Sequence, residues 1–323
     1  MKNYKSILKI IKFLVVFFII NFSFLTLNLS KANAQQVSLS LSPPVVELFI
    51  KPGKEVIVAY KLENLGDPTF LSLKVLPFEA KDGLGNIKIK SEFEGPVRFS
   101  LDNSDLKLDQ PFFLKTNDSQ QILLRIRIPE NIFDSDYYYS LLAESTPPTA
   151  AEGTSSVRVK ATIGSNILIT VSNSGDVDVK PKIALFTTKG KYIFDSMDKV
   201  PVILTIVNKG RNMIKPEGQI KLKGNFGETA QYDIIPKNIL AESERLLEAT
   251  PSALLTHSTS LILSGFFIGK YNLSTQIKFG ENSPTVFGST TFYAFPFKIT
   301  VGILIAVVIV VIIVKKYRKN KEE

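Results

Sequence analysis

Side chains that could perform covalent or metal chemistry are scarce in this chain. It contains no Cys and one His, His257, which excludes thiol catalysis, disulfides, Cys-ligated zinc and any site that needs two imidazoles. His257 lies in Thr256-His-Ser-Thr259, where neither an Asp nor a nucleophile motif indicates a Ser–His–Asp triad. Paired carboxylates could hydrolyse glycosides, but any chain with 30 Asp and Glu contains such pairs. We therefore predict that the protein is not an enzyme and uses no cofactor.

Two acidic clusters carry the oxygen ligands that Ca²⁺ prefers. They are Asp102-Asn-Ser-Asp105 with Asp109, and Asp134-Ser-Asp136. Neither has a full set of ligand positions, such as a twelve-residue loop that ends in Glu. Tight turns favour Asp and Asn as well. Calcium binding and turn formation both stay open for these clusters, and we assign no metal ligand.

Aromatic side chains provide the candidate binding residues. Tyr137, Tyr138 and Tyr139 are consecutive. Alternation along a strand sends Tyr138 to the face opposite the other two, so at least one ring is expected to point outward. An outward ring could stack on a sugar or anchor a partner protein. The alternative is cross-strand packing with a hydrogen bond from the hydroxyl group.

Short strands are the elements that must position these residues. The segment 55–62 places Val56, Val58, Tyr60 and Leu62 on one face, and 123–128 alternates apolar residues with Arg. Segment 156–160 repeats this pattern. No segment has convincing helical periodicity, and 238–247 suits a helical turn and a loop equally well. The turn signals between the strands are Lys51-Pro-Gly-Lys54, Asn64-Leu-Gly-Asp-Pro68, Lys81-Asp-Gly-Leu-Gly-Asn86 and Thr116-Asn-Asp-Ser119.

The strand pattern restarts after the turn-rich segment Ser172-Asn-Ser-Gly-Asp176. The apolar strand that ends in Asn208-Lys-Gly210 is similar to the one that ends in Asn64-Leu-Gly66, and each Gly can supply the positive φ of a tight turn. We predict an all-β fold of two tandem antiparallel β-sandwich domains, at residues 35–174 and 175–297.

The N-terminus has the three parts of a secretory signal peptide. A basic start is followed by an apolar run from Phe13 and by the small-x-small motif Ala32-Asn-Ala34 before Gln35. We predict that residues 1–34 are a signal peptide, cleaved between Ala34 and Gln35. An uncleaved anchor helix over residues 13–29 is the alternative.

The C-terminus has the pattern of a membrane span. Residues 299–314 contain no polar side chain except Thr300, and Phe292, Tyr293, Phe295 and Phe297 before them suit an interfacial aromatic belt. We predict a transmembrane helix at residues 298–314 and a basic cytoplasmic tail at 315–323. A buried core strand is the alternative. The basic residues that flank the predicted span are Lys298, Lys315, Lys316, Arg318 and Lys319.

The formal charge of +9 belongs to the two ends of the chain. Residues 35–297 contain equal numbers of basic and acidic side chains, which argues against a nucleic-acid partner. The basic signal peptide and the basic tail together predict a single-pass protein of the cell membrane, with residues 35–297 outside. The absence of Cys suits a bacterial surface protein.

Five segments of the exported part have a characteristic order. They are Ser42-Pro-Pro-Val-Val-Glu-Leu48, Lys51-Pro-Gly53, Glu63-Asn64, Ile128-Pro-Glu-Asn131 and Asp136-Tyr-Tyr-Tyr-Ser140. In this order they resemble the first domain of bacterial WxL-interacting surface proteins. The resemblance implies immunoglobulin-like sandwiches, a membrane anchor and a peptidoglycan-binding role. The second half is similar to related anchored proteins that carry a Gly-Asn-x-His-x-Lys-Pro motif. Here Arg211 and Met213 replace its Asn and His.

These observations predict a non-catalytic binding or scaffold protein, which presents two immunoglobulin-like domains to the peptidoglycan of the cell wall or to another surface protein. The first alternative is a chaperone-like assembly factor that offers a strand edge to secreted subunits. A second alternative is an extracytoplasmic hydrolase.

The predicted topology can be tested with protease added outside spheroplasts. Because the basic flanks place residues 35–297 outside, we expect the protease to digest that region and to spare a C-terminal tag. Recovery of the intact region after treatment would contradict export.

Overall fold

A computed structural model describes residues 37–146, 160–251, 258–280 and 283–322, together with Phe13, Val15 and Phe17. The predicted cleavage site at Ala32, Ala34 and Gln35 lies outside the described residues. His257 and the alternating residues 156–159 lie outside them as well.

The described part of the chain is mostly β, as its period-two patterns predict. The segment 238–247 forms no helix and contributes β16. The strands are β1(Leu39–Ser42), β2(Val45–Ile50), β3(Glu55–Asn64), β4(Thr69–Ala80), β5(Ile87–Ile89), β6(Arg98–Leu101), β7(Pro111–Leu114), β8(Asp118–Arg127), β9(Ser135–Thr146), β10(Thr162–Val171), β11(Pro181–Thr188), β12(Ile193–Asp195), β13(Val200–Asn208), β14(Glu217–Gly224), β15(Thr229–Asp233), β16(Glu244–Leu246), β17(Leu261–Leu263), β18(Gly269–Lys278) and β19(Val286–Phe295).

The N-terminal half, residues 37–172, contains two sheets. One has the order β1-β3-β8-β6, and the other has the order β2-β10-β9-β4-β5, with β7 also pairing with β4. Neighbouring strands are antiparallel except β2 and β10, which are parallel. Pro43 and Pro44 separate β1 from β2. Because proline has no N–H group to donate to a ladder, this pair ends one strand where the chain passes to the other sheet.

The C-terminal half, residues 178–296, also contains two sheets. The order β11-β13-β16, with β17 on β13, forms one sheet, and β12-β19-β18-β14-β15 forms the other. The pairing of β12 with β19 is parallel, as is that of β2 with β10. The arrangement of a parallel edge strand on a larger antiparallel sheet is thus present in both halves.

Each half has its own hydrophobic core. The first core is formed by buried residues between positions 41 and 171, and the second by residues between 194 and 294. Tyr60 and Leu62 are buried and Val56 and Val58 are partly buried, which confirms the inward face predicted for β3. In β8 the buried apolar residues alternate with Arg as expected. The assignment of the halves as two immunoglobulin-like domains at 35–174 and 175–297 stays a prediction.

The two Asn-x-Gly segments have similar hydrogen bonds, but the positive φ predicted for their glycines is wrong, because neither Gly66 nor Gly210 adopts one. Asn64 and Asn208 each end a core strand and are fully buried. The Oδ1 atom of Asn64 accepts from the Gly66 amide at 3.0 Å, and that of Asn208 accepts from Gly210 at 3.0 Å. Each Nδ2 group donates to backbone carbonyl groups of neighbouring loops. Each Asn therefore closes its own turn and ties that turn to a second loop.

The last element is the helix α1(Phe297–Glu322), which extends beyond the predicted limits of 298–314. Its residues 297–318 are long and apolar enough to cross a membrane. One member of the predicted aromatic belt is not available to lipid. Phe292 is fully buried and its ring stacks on Tyr271, whereas Tyr293, Phe295 and Phe297 are exposed.

We expect the buried side chains of Asn64 and Asn208 to stabilise the fold. Asn64→Ala and Asn208→Ala should each lower the free energy of unfolding by about 2 kcal/mol, because buried backbone groups lose their partners. The free energy of unfolding is measured by urea denaturation of the full chain in detergent, with circular dichroism as the signal. Asn225→Ala, on an exposed loop, is the matched control. Equal losses in all three variants would contradict the structural role.

Candidate functional site

The carboxylate of Asp136 accepts several of the hydrogen bonds that link the two halves. Asp136, at the start of β9, accepts hydrogen bonds from Asn212 Nδ2 at 2.8 Å and from the Met213 amide at 2.5 Å. Its own amide donates to the carbonyl oxygen of Arg211 at 3.2 Å. Asn212 is buried, and its Oδ1 atom accepts from the Asp178 amide at 2.7 Å. The contact thus uses the backbone of Arg211 and Met213 and does not involve their side chains.

Tyr138 belongs to the same contact. Its hydroxyl donates to Asp136 Oδ2 at 2.9 Å and accepts from the Ala241 amide of the C-terminal half at 2.8 Å. The ring stacks on Phe78 at a centroid distance of 5.7 Å. Burial, and then the charge of Asp136, raises the pKa of Tyr138 far above its ordinary value. The hydroxyl group therefore stays protonated and keeps its role as a donor.

The neighbouring tyrosines have different surroundings. Tyr139 is buried in the first core against Phe99, and burial raises its pKa to about 12. Tyr137 is half-buried, and its hydroxyl donates to the carbonyl oxygen of Phe133 at 3.0 Å. Tyr138 does lie on the face opposite the other two, but the C-terminal half covers that face. Binding of a partner through these tyrosines stays a prediction.

The acidic clusters are occupied by contacts within the chain. Asp102 forms an ion pair with Arg125 at 2.6 Å, and Asn103 binds the backbone of Leu123. Asp134 accepts from the Asn173 amide at 3.0 Å. Across the described ranges, no three His, Asp or Glu side chains come together in a group that could hold a metal ion.

A cavity of about 280 Å³ lies between the halves beside this contact. Arg245 closes one side, because its Nη1 group donates to the carbonyl oxygen of Asn238 at 2.6 Å. Burial lowers the pKa of Arg245. Gly85 permits this closure, since a Cβ atom at that position would lie 2.3 Å from Arg245 Nη2. The apolar lining residues are Val45, Phe78, Ala80, Ile87, Leu168, Ile239 and Leu240.

Strand β2 is the edge of the larger sheet beside this cavity. The carbonyl group of Pro44 accepts from Asn166 in β10, and that of Ile50 accepts from Ser172 directly after β10. Even-numbered residues of this segment therefore direct their backbone groups toward β10. Successive residues alternate in direction. The N–H and C=O groups of Val45, Glu47 and Phe49 therefore face away from β10, and no strand of the described residues pairs with them there.

The side chains of β2 also distinguish its two faces. Val45 and Phe49 are exposed, whereas Val46, Leu48 and Ile50 pack against the first core. Glu47 binds Asn238 Nδ2 of the C-terminal half at 2.6 Å and Lys215 at 3.6 Å. The sequence signal for this edge is a Pro pair followed by Val45-Val-Glu-Leu-Phe-Ile50, which is apolar except for Glu47.

Comparison with known proteins adds a likeness of fold. No protein-family model matches the chain, and no curated protein matches it. Similar solved structures include the class 5 fimbriae chaperone CfaA, with a TM-score of 0.39 and 12% identity over 78% of this chain and 99% of that chain. A chaperone–tip adhesin complex of CFA/I fimbriae biogenesis has a TM-score of 0.40 and 12% identity over 78% and 98%.

A third similar structure is the CsuC–CsuE chaperone–tip adhesion subunit complex from Csu pili of Acinetobacter baumannii. Its TM-score is 0.36, with 12% identity over 77% of this chain and 97% of that chain. These values limit the likeness to the general arrangement of strands. What the chain binds must therefore be argued from its own residues.

The contact at Asp136 predicts an effect of Tyr138→Phe. The variant leaves the Ala241 amide without its acceptor, so the halves should loosen by about 1–2 kcal/mol. Protease should then cut the exposed connection at residues 173–176 faster than in the wild-type chain. Tyr137→Phe is the control, because it loses only the hydrogen bond to the carbonyl oxygen of Phe133 within the N-terminal half. Equal cleavage of the two variants would contradict the role of Tyr138.

Proposed function

We propose that this protein is a non-catalytic, membrane-anchored assembly factor that binds an extended segment of another exported polypeptide on the open edge of β2. The proposal depends on one observation. The backbone groups of Val45, Glu47 and Phe49 form an unpaired row, and Val45 at one end of that row lines the cavity between the halves.

Strand addition suits this row for a physical reason. The three residues offer both a donor and an acceptor, at the spacing of alternate residues in a strand. An intramolecular hydrogen bond contributes about 1 kcal/mol net, and in strand addition main-chain bonds give affinity while pockets for alternate side chains give specificity. The cavity beside Val45 is such a pocket, with an apolar lining and polar groups at its rim.

The edge favours a polypeptide over a glycan partner. A glycan strand presents no row of amide groups that could continue a β ladder, whereas any extended polypeptide does. Of the functions predicted from the sequence, the assembly factor is therefore the one that the edge supports. The resemblance to WxL-interacting proteins and the peptidoglycan role that it implies stay predictions.

Helix α1 supplies the membrane anchor in this proposal. Residues 297–318 cross the bilayer, and the bases at Lys315, Lys316, Arg318 and Lys319 lie on the cytoplasmic side. The sheets then lie outside the membrane, where exported polypeptides pass. An anchored assembly factor holds its partner at the cell surface while that partner folds or assembles.

Selected peptides test the proposal. The full chain in detergent selects ligands from a displayed peptide library, and a bound peptide is then N-methylated at one residue at a time. We expect methylation to weaken binding at alternate residues only, because alternate amides face the β2 edge. Phe49→Pro should weaken binding tenfold or more, because it removes a donor and obstructs the edge.

Phe49→Ala is the matched control, since it removes the same ring and keeps the amide. Proline is compatible with an edge position whose N–H group faces away from the sheet, so the fold should survive both substitutions. Equal binding by the two variants, or binding that is insensitive to N-methylation, would contradict strand addition.

A further inference from the structure

A second exposed apolar surface lies at the other end of the C-terminal half. We call it the apolar rim and define it by Tyr192, Met197, Phe226, Phe266, Phe295 and Phe297. Phe226 is 75% exposed and Met197 is 66% exposed. Large apolar side chains that cluster on one surface indicate an interaction site, whereas scattered ones do not.

The strand register brings the members of the rim to one end of the sheet. Gly269 at the start of β18 lies opposite Ala294 near the end of β19. Gly224 at the end of β14 lies opposite Tyr271, and Asp195 at the end of β12 lies opposite Phe295. The loops that carry Met197, Phe226 and Phe266 therefore emerge where β19 ends, which is where helix α1 begins.

Polar contacts fix the start of the helix to this end of the sheet. The Lys298 amide donates to Asp195 Oδ2 at 2.9 Å, and Lys298 Nζ donates to Asp198 Oδ1 at 2.7 Å. Lys191 binds the same Asp198 carboxylate at 3.0 Å. The two lysines lower the pKa of Asp198 to about 2, so it stays charged at neutral pH. The helix is thus tied to the loops around it.

The apolar rim lies close enough to the start of helix α1 for its side chains to reach lipid. Neighbouring strands lie about 4.8 Å apart, so β12, β18 and β14 end within roughly 10 Å of the start of the helix. The interfacial layer on each side of a bilayer core is about 5–8 Å thick. Because the helix follows β19, which lies between β12 and β18, a bilayer that the helix crosses begins close to these side chains. A protein partner would have to fit between the loops and the headgroups.

We propose that the apolar rim inserts into the outer interfacial layer of the membrane and holds the extracellular part in one orientation. The occupant of this surface is the phospholipid bilayer itself. The inference rests on the proposed membrane anchor. Aromatic side chains are favoured at this depth, because their rings suit the boundary between headgroups and acyl chains.

One consequence concerns the β2 edge. The C-terminal half meets the N-terminal half near Asn208 and Asn212, at the end of its sheets opposite the rim. The ten residues of β18 span about 34 Å between these ends. Docking of the rim would therefore hold the β2 edge roughly that far from the bilayer surface and keep it accessible.

The absence of Trp from the sequence permits a direct test. Four single-Trp forms of the full chain are made with Phe226→Trp, Phe266→Trp, Phe287→Trp and Ile305→Trp. Each is reconstituted into phosphatidylcholine–phosphatidylglycerol vesicles with and without lipids brominated on their acyl chains. Phe287 is exposed on the same strand as Phe295, eight residues and about 27 Å away, and is the matched control.

Insertion of the rim predicts strong quenching by brominated lipid, with emission at shorter wavelength, for Phe226→Trp and Phe266→Trp. Ile305→Trp should also be quenched and Phe287→Trp should not. Quenching of Ile305→Trp without quenching of the two rim variants would overturn the inference and leave the anchor standing. No quenching of Ile305→Trp would refute the anchor and the inference together.

Two further outcomes would also overturn the inference. If the rim variants are shielded from aqueous acrylamide but not quenched by lipid, a protein surface covers the rim. If Phe287→Trp is quenched as strongly as they are, the sheet lies along the membrane and the rim does not set its orientation.

Discussion

The carboxylate of Asp136 is the contact on which the arrangement of this protein depends. It accepts hydrogen bonds from Tyr138 in its own half and from Asn212 and Met213 in the other. Hydrogen bonds to an ionised acceptor are about twice as strong as neutral ones. The cavity has walls from both halves, and the Asp136 contact holds those walls together with the bonds of Glu47 to Asn238 and of Tyr138 to Ala241. The shape of the cavity beside β2 therefore depends on groups that include Asp136, which does not line the cavity.

The open edge of β2 is unusual because proteins commonly protect exposed edges. A charged side chain, a proline or a very short strand is the usual protection against unwanted pairing. Pro43 and Pro44 precede β2 and do not lie within it. The apolar side chains of Val45 and Phe49 are exposed along the strand. An edge of this kind suits pairing with a partner strand, and Glu47, held by Asn238 and Lys215, connects it to the C-terminal half.

We propose that the two ends of the C-terminal half contact different partners, the N-terminal half at one end and the bilayer at the other. One end binds the N-terminal half through the buried Asn212 amide and the half-buried Asp136 carboxylate, and the other carries exposed aromatic side chains around the start of helix α1. Hydrogen-bonded polar contacts are directional and fix a relative position, whereas apolar insertion is not directional. The ion pairs of Lys298 with Asp195 and Asp198 supply the missing direction at the membrane end.

The sequence by itself determined the elements whose signal is local. Period-two alternation was enough for the inward face of β3 and the solvated Arg face of β8, and an apolar run closed by bases was enough for helix α1. Tertiary structure alone decided what covers each face. The Tyr138 hydroxyl meets the Ala241 amide across 103 residues, and Phe292 is buried in the second core instead of facing lipid. Alternation assigns a side chain to a face of a strand, but the pairing of distant segments decides whether that face meets solvent, a core or another half, and which strand is left at the edge.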